Sequence, residues 1–154
     1  MEKVMIAYFS AGGTTQQMAA YIGEGVRISG GEAVVKEILD MKTVEELSGY
    51  DGYIFGAPTY SLDVPEAMKK FLSKAPEAVL PGKLGGSFGS YTHDVGYAHD
   101  HHAPAIMFET LQDSLKMKPF ELGPLILRED IVETTEGMRA CQEYGRVFGA
   151  NLNG

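Results

Sequence analysis

The sequence predicts a single α/β domain, a parallel sheet with helices packed on both faces, and three observations carry that expectation. Short apolar or β-branched runs alternate with helix-like stretches along the chain. Parallel neighbours need crossover connections, and those are right-handed, so the alternation reads as a doubly wound sheet. The length, 154 residues, is that of one ordinary domain, so residues 1–154 are read as one unit. Apolar residues make up 44% of the chain and charged ones 22%, enough to fill one core, and no apolar run approaches a membrane span.

Each element has its own warrant. The first strand is KVMIAYF, Lys3 to Phe9, and the stretch Thr15 to Ser29 follows with Met18, Ile22 and Val26 at four-residue steps on one helix face. EAVVKEI, Glu32 to Ile38, is the second strand, and the link LDMKTVEELSGYD has room for one or two turns of helix before the third strand, GYIFGA, Gly52 to Ala57. A helix from Val64 to Lys74 is expected to take Asp63 as its cap, with Pro65 in the first turn and Glu66 three residues on. KLGGSFGSY, Lys83 to Tyr91, is the fourth strand. Pro104 then starts a helix carrying Phe108, Leu111 and Leu115, and FELGPLIL, Phe120 to Leu127, is the region of the fifth strand. The last helix runs from about Thr135, with Met138, Cys141, Gly145, Phe148 and Leu152 on one face.

Composition excludes several functions. Thirteen basic against 21 acidic residues leave a net charge of -8, which repels nucleic acid and anionic membranes and favours partners with a basic docking face. Cys141 is the only cysteine, which rules out an internal disulfide and a multi-cysteine zinc or iron–sulfur site. On the apolar face of the last helix it reads as core. Glu2 and Lys3 precede only a short apolar run with no cleavage-site pattern, so no signal peptide is visible, and a cytoplasmic protein is expected.

Ligands of open parallel sheets bind beyond the carboxyl ends of the strands, so the loops after the first, third and fourth strands carry the functional signal. SAGGTT, Ser10 to Thr15, combines hydroxyls with adjacent glycines just before a helix, whose free N–H groups and positive dipole end suit an anion. Lys and Arg do not occur between Lys3 and Arg27, so the anion is held by neutral donors. The lysine of an ATP-binding P-loop is missing, and the G-x-G-x-x-G of a dinucleotide fold is absent. After the third strand comes GAPTYSLDVPEAMKKFL, and after the fourth FGSYTHDVGY. These place Tyr60 on one side of a planar ring and Tyr91, His93 or Tyr97 on the other. A phosphate cradle beside a ring-sized aromatic gap suggests flavin mononucleotide, FMN.

The three loops resemble those of the flavodoxin family, specifically its short-chain members. Ser10, Ala11, Gly12, Gly13, Thr14 and Thr15 follow the family's S/T-x-S/T-G-x-T pattern, with Gly12 in place of a hydroxyl residue. GAPTY and FGSY resemble its two flavin-ring loops, and LGPLILREDIVETTEGMRACQEYGRVFGANL is similar to its last strand and helix. The resemblance implies a five-stranded sheet in the order 2-1-3-4-5 that binds FMN noncovalently with the dimethylbenzene edge exposed. The implied cofactor contacts are Ser10 to Thr15, Pro58, Thr59, Tyr60 and Ser61, then Gly89, Ser90, Tyr91, Thr92, His93, Gly96 and Tyr97. His93 falls where relatives carry a flavin-stacking tryptophan, and a charge change there near neutral pH implies a pH-dependent potential.

Two further departures bear on function. Ser61, or Leu62, stands where the family commonly has a glycine whose peptide flips toward N5 of the reduced flavin. A side chain raises the cost of positive φ by roughly 1 kcal/mol or more, so the two one-electron potentials should lie closer together. The loop after the fourth strand is also longer than the family pattern and carries His99, Asp100, His101 and His102. That run matches no metal-ligand spacing and reads as a solvated loop entering a helix, with a metal site or a substrate rim as alternatives. The function implied is a low-potential electron carrier that docks through acidic loops onto redox partners. The alternative is an FMN-dependent NAD(P)H:quinone oxidoreductase, although TYSLDVPEAM lacks that branch's loop pattern and no basic cluster awaits an NADPH phosphate.

Overall fold

A computed structural model describes residues 2–60, 63–75, 80–92 and 102–153. Strand and helix alternate through β1 (Lys3–Tyr8), α1 (Thr14–Ile28), β2 (Glu32–Glu37), β3 (Gly52–Gly56), α2 (Glu66–Lys74), β4 (Leu84–Tyr91) and α3 (Ala103–Asp113). They are followed by β5 (Lys118–Pro119), β6 (Leu125–Arg128), the single turn α4 (Glu129–Val132) and α5 (Thr135–Asn153). The strands are parallel in the order β2-β1-β3-β4-β5, and β6 also pairs with β4. This is the expected 2-1-3-4-5 arrangement. Every strand therefore ends at the same side of the sheet, where Tyr8, Gly56, Tyr91 and Arg128 lead into the candidate site.

Alternation along β1 explains the two-faced core. Val4, Ile6 and Tyr8 point toward α1 and α5, joining Met18, Ile22, Val26, Phe88, Cys141 and Phe148. Met5 and Ala7 point the other way, into a cluster with Tyr53 and Phe55 of β3 and Met68, Leu72, Met107 and Leu111 from α2 and α3. Since successive strand side chains take opposite faces, a strand covered by helices on both sides must be apolar throughout, as Val4 to Tyr8 is. Among the described residues no helix is long and apolar enough to cross a membrane.

Three local expectations change. The fifth strand is not continuous over Phe120–Leu127. Pairing to β4 occurs at Lys118–Pro119 and again at Leu125–Arg128. Between them Gly123 takes φ 70 and returns its N–H to the Phe120 carbonyl at 2.9 Å, and Pro124 has no N–H to give the ladder. Phe120 itself is buried edge-on against Tyr144 and Phe148. Asp63 does not cap α2, because Pro65 is the extended residue that precedes the helix. Its carboxylate accepts from Val64 N at 2.7 Å and pairs with Lys69 at 2.5 Å. Finally, α3 ends at Asp113, so Leu115 is buried from beyond the helix rather than within it. The link from β2 to β3 holds two short 3-10 turns, Ile38–Asp40 and Val44–Leu47.

Candidate functional site

The loop from Phe9 to Gly13 is pinned at both ends. Phe9 N donates to Gly56 O at 2.9 Å, tying the loop to β3, and Ser10 N donates to the Glu37 carboxylate at 3.2 Å. The Ser10 hydroxyl oxygen accepts from Gly13 N at 3.1 Å and Gln16 N at 3.4 Å, so it folds inward and fixes the curve. Gly13 precedes α1 at φ 92, a conformation that costs a side chain about 1 kcal/mol or more. The first helical bond runs from Gln17 N to Gly13 O at 3.0 Å, which leaves the N–H groups of Thr14 and Thr15 without a carbonyl inside the helix. A Cβ on Gly12 meets nothing within 4 Å, so a ligand can approach that backbone closely.

Opposite the cradle stand the β3 and β4 loops. Ala57 N and Thr59 N donate to Phe88 O and Ser90 O at 3.1 and 3.0 Å, extending the parallel pairing past the strand end. The Thr59 hydroxyl accepts from Ala103 N at 2.9 Å and so braces the start of α3. Tyr60 exchanges backbone bonds with Asp63 at 2.9 and 2.8 Å, which holds its exposed ring at the rim. Tyr91 is half-buried and stacks on the His102 ring, centroid to centroid 4.4 Å at 29°.

Ser10, Ala11, Gly12, Thr14, Thr15, Pro58, Thr59, Tyr60, Ser90, Tyr91 and Thr92 come together around one cleft of about 240 Å³. Among the described residues the lining contains no basic side chain, in keeping with neutral phosphate donors. Gly13 and Gly89 serve it from behind. An ideal Cβ on Gly89 lies 1.9 Å from Ala57 O, so glycine there lets the ends of β3 and β4 close together. Ser61, His93, Gly96 and Tyr97, together with Leu62, His99 and His101, lie outside the described residues.

His102 corrects the reading of its loop. It is 1% exposed, precedes α3 as the capping residue and supports Tyr91, so it belongs to the core rather than to a solvated loop. Among the described residues no cluster of three His, Cys, Asp or Glu side chains could hold a metal. Sequence reasoning missed Glu129, which also lines the cleft and accepts the Thr14 hydroxyl at 3.3 Å. Its only sequence signal is its place directly after a strand at the ligand end of the sheet.

Cys141 is confirmed as core: it is fully buried and burial pushes its thiol up to about 12. The native protein is therefore expected to stay unlabelled by a thiol-disulfide reagent at mildly alkaline pH, and to react promptly once denatured. Labelling of the folded protein would show that α5 opens readily.

The flavodoxin domain model matches residues 5–124. The chain belongs to the flavodoxin family. Over 88 residues it is 39% identical to a flavodoxin of Clostridium saccharobutylicum, an overlap covering 57% of this chain and 55% of that protein. Over 109 residues it is 32% identical to a protein of Sinorhizobium fredii named NAD(P)H dehydrogenase (quinone), covering 58% of this chain and 55% of that one. The matches thus span about half the length of these two relatives. The structure superposes on that of a flavodoxin from the domain Archaea with a TM-score of 0.85 at 24% identity, over 99% of both chains, a likeness of fold.

Flavodoxins bind FMN, and FMN is the cofactor of this family member. The cleft fits it. Unspent first-turn N–H groups and an open glycine suit a phosphate monoester, and two tyrosines on separate loops suit a planar ring.

Proposed function

We propose that this flavodoxin is an electron carrier that holds FMN in the cleft at the ends of β1, β3 and β4 and exchanges electrons with partner proteins. The observation that carries the reading is that the cradle and both tyrosines face a single cleft. In this reading the backbone and hydroxyls of Ser10 to Thr15 hold the phosphate. Pro58, Thr59, Tyr60 and Ser61 flank one side of the ring, and Gly89, Ser90, Tyr91, Thr92, His93, Gly96 and Tyr97 form the other. FMN supplies the redox chemistry, accepting electrons singly or as a pair. The chain orients the ring, shields one face and sets the local field. The carboxylate of Glu129 in the cleft lining disfavours extra negative charge and so helps to keep the potential low. With a net charge of -8, the protein docks partners that present a basic face, in a cytoplasmic setting.

A second reading, an FMN-dependent NAD(P)H:quinone oxidoreductase, is favoured by the name of the Sinorhizobium fredii relative. Anaerobic titration of the FMN-loaded protein separates the two. NADH and NADPH are expected to leave the flavin oxidised, and dithionite to reduce it in two resolved one-electron steps. Rapid bleaching by either nicotinamide, with quinone restoring the colour, would replace the carrier by the oxidoreductase.

A further inference from the structure

Glu129 brings a carboxylate to the phosphate cradle from the far side of the sheet. Pairing of β6 with β4 sets Arg128 level with Tyr91, so the next residue, Glu129, enters the cleft at the height of the ligand loops. Its Oε1 accepts the Thr14 hydroxyl at 3.3 Å. A threonine hydroxyl has one proton, and once that proton is given to Glu129 only lone pairs are left to face an incoming anion. The same carboxylate also adds a negative charge to a lining that, among the described residues, holds no cation. Arg128, its neighbour in sequence, reaches instead to Asp130 with its two nitrogens at 3.2 and 2.7 Å. Asp130 and Glu133 share an adjoining cleft with Glu129 and Thr92, so the field at this mouth of the cradle is acidic.

We propose that Glu129 is an affinity-determining residue that weakens the hold on the flavin's phosphate by sequestering the Thr14 hydroxyl and repelling the phosphate dianion. The inference rests on the reading of this cleft as an FMN site. It acts on the phosphate alone. A flavin without phosphate meets the same ring walls but has no charge to be repelled, so Glu129 narrows the advantage of FMN over riboflavin. Neutral donors and a helix N-terminus attract a phosphate modestly, and a single opposing carboxylate is therefore a sizeable fraction of the balance. Glu129 is exposed, and solvent screening limits the effect to several-fold rather than to orders of magnitude.

The test is flavin fluorescence quenching on apoprotein titrated with FMN and, separately, with riboflavin, for wild type, Glu129→Gln and Glu129→Ala. Glu129→Ala is expected to bind FMN about fivefold more tightly at low ionic strength and Glu129→Gln, whose amide oxygen still accepts the Thr14 hydroxyl, about two- to threefold more tightly, with riboflavin changed by less than about twofold. The gain should shrink as salt is raised. Unchanged or weaker FMN binding in both variants overturns the proposal. An equal gain for FMN and riboflavin overturns it too, since the effect would then not pass through the phosphate. If wild type and variants bind neither flavin, the FMN site itself is refuted and this inference with it. Binding of FMN with one affinity throughout refutes only the role of Glu129.

Discussion

Replacing Gly145 with alanine lowers the melting temperature by roughly 4–8 °C. Helices α1 and α5 lie backbone to backbone at this point. An ideal Cβ on Gly145 falls 2.0 Å from Ile22 O, and one on Gly25, across the same contact, falls 1.9 Å from Gln142 O. The obstacle in each case is a main-chain carbonyl inside a helix, which cannot turn aside as a side chain can. Either the two helices separate, opening voids around Met18, Ile22 and Phe148, or the helical bonds distort. Overpacking of this kind costs about 1–3 kcal/mol, occasionally more, against which alanine recovers up to about 1 kcal/mol of helix propensity. Gly23→Ala is the internal comparison. Its added methyl meets Val35 Cγ2 at 2.9 Å, a methyl of a partly exposed side chain rather than a main-chain carbonyl, so its melting temperature should stay within about 2 °C of wild type. Thermal unfolding followed by circular dichroism measures all three. A Gly145→Ala protein that melts with wild type would mean that α1 and α5 slide apart at no cost. Because α1 carries the cradle at its first turn, Gly145→Ala is also expected to disturb phosphate binding from a distance.

The cradle was legible because it is contiguous. Ser10 to Thr15 lie within one loop, and hydroxyls, glycines and a following helix are all visible in the order of residues. The strands were legible for a related reason, since burial on both faces leaves unbroken apolar runs such as VMIAYF and GYIFGA. The same criterion failed at the fifth strand. Phe120, Leu125, Ile126 and Leu127 all look like strand residues, but only the backbone of Gly123 and Pro124 reveals that a turn divides them. Asp63 has the composition of a helix cap and is drawn off by Val64 N and Lys69. His102 shows the limit most clearly. The residues just before it in sequence are polar, and its environment is decided by Tyr91 and by Thr59, whose hydroxyl anchors the next residue. Glu129 meets Thr14 across 115 positions, a pairing that parallel strand order creates and that local pattern cannot report.

Tyr91→Ala is expected to weaken binding of FMN and riboflavin alike, by about ten- to a hundredfold, since an aromatic wall contributes roughly 1–3 kcal/mol to holding a planar ring. Tyr91 is suited to that role by what stands behind it. His102, 1% exposed and stacked at 4.4 Å, backs the tyrosine ring and fixes its plane before any ligand arrives. A wall held in place loses little freedom on binding, so more of the contact energy appears as affinity. Tyr91→Phe keeps ring and support and should bind within about threefold of wild type. His102→Ala keeps the ring but removes its backing, and an intermediate loss is expected. Removing Tyr91 also uncovers the imidazole, so each variant needs its melting curve beside its titration. The two ligands separate this effect from that of Glu129: a ring wall acts on both flavins equally, whereas a carboxylate at the phosphate acts on FMN alone. If Tyr91→Ala binds both flavins as tightly as wild type while remaining folded, Tyr91 is not the wall, and the stacking partner must be sought in the segment that follows Thr92.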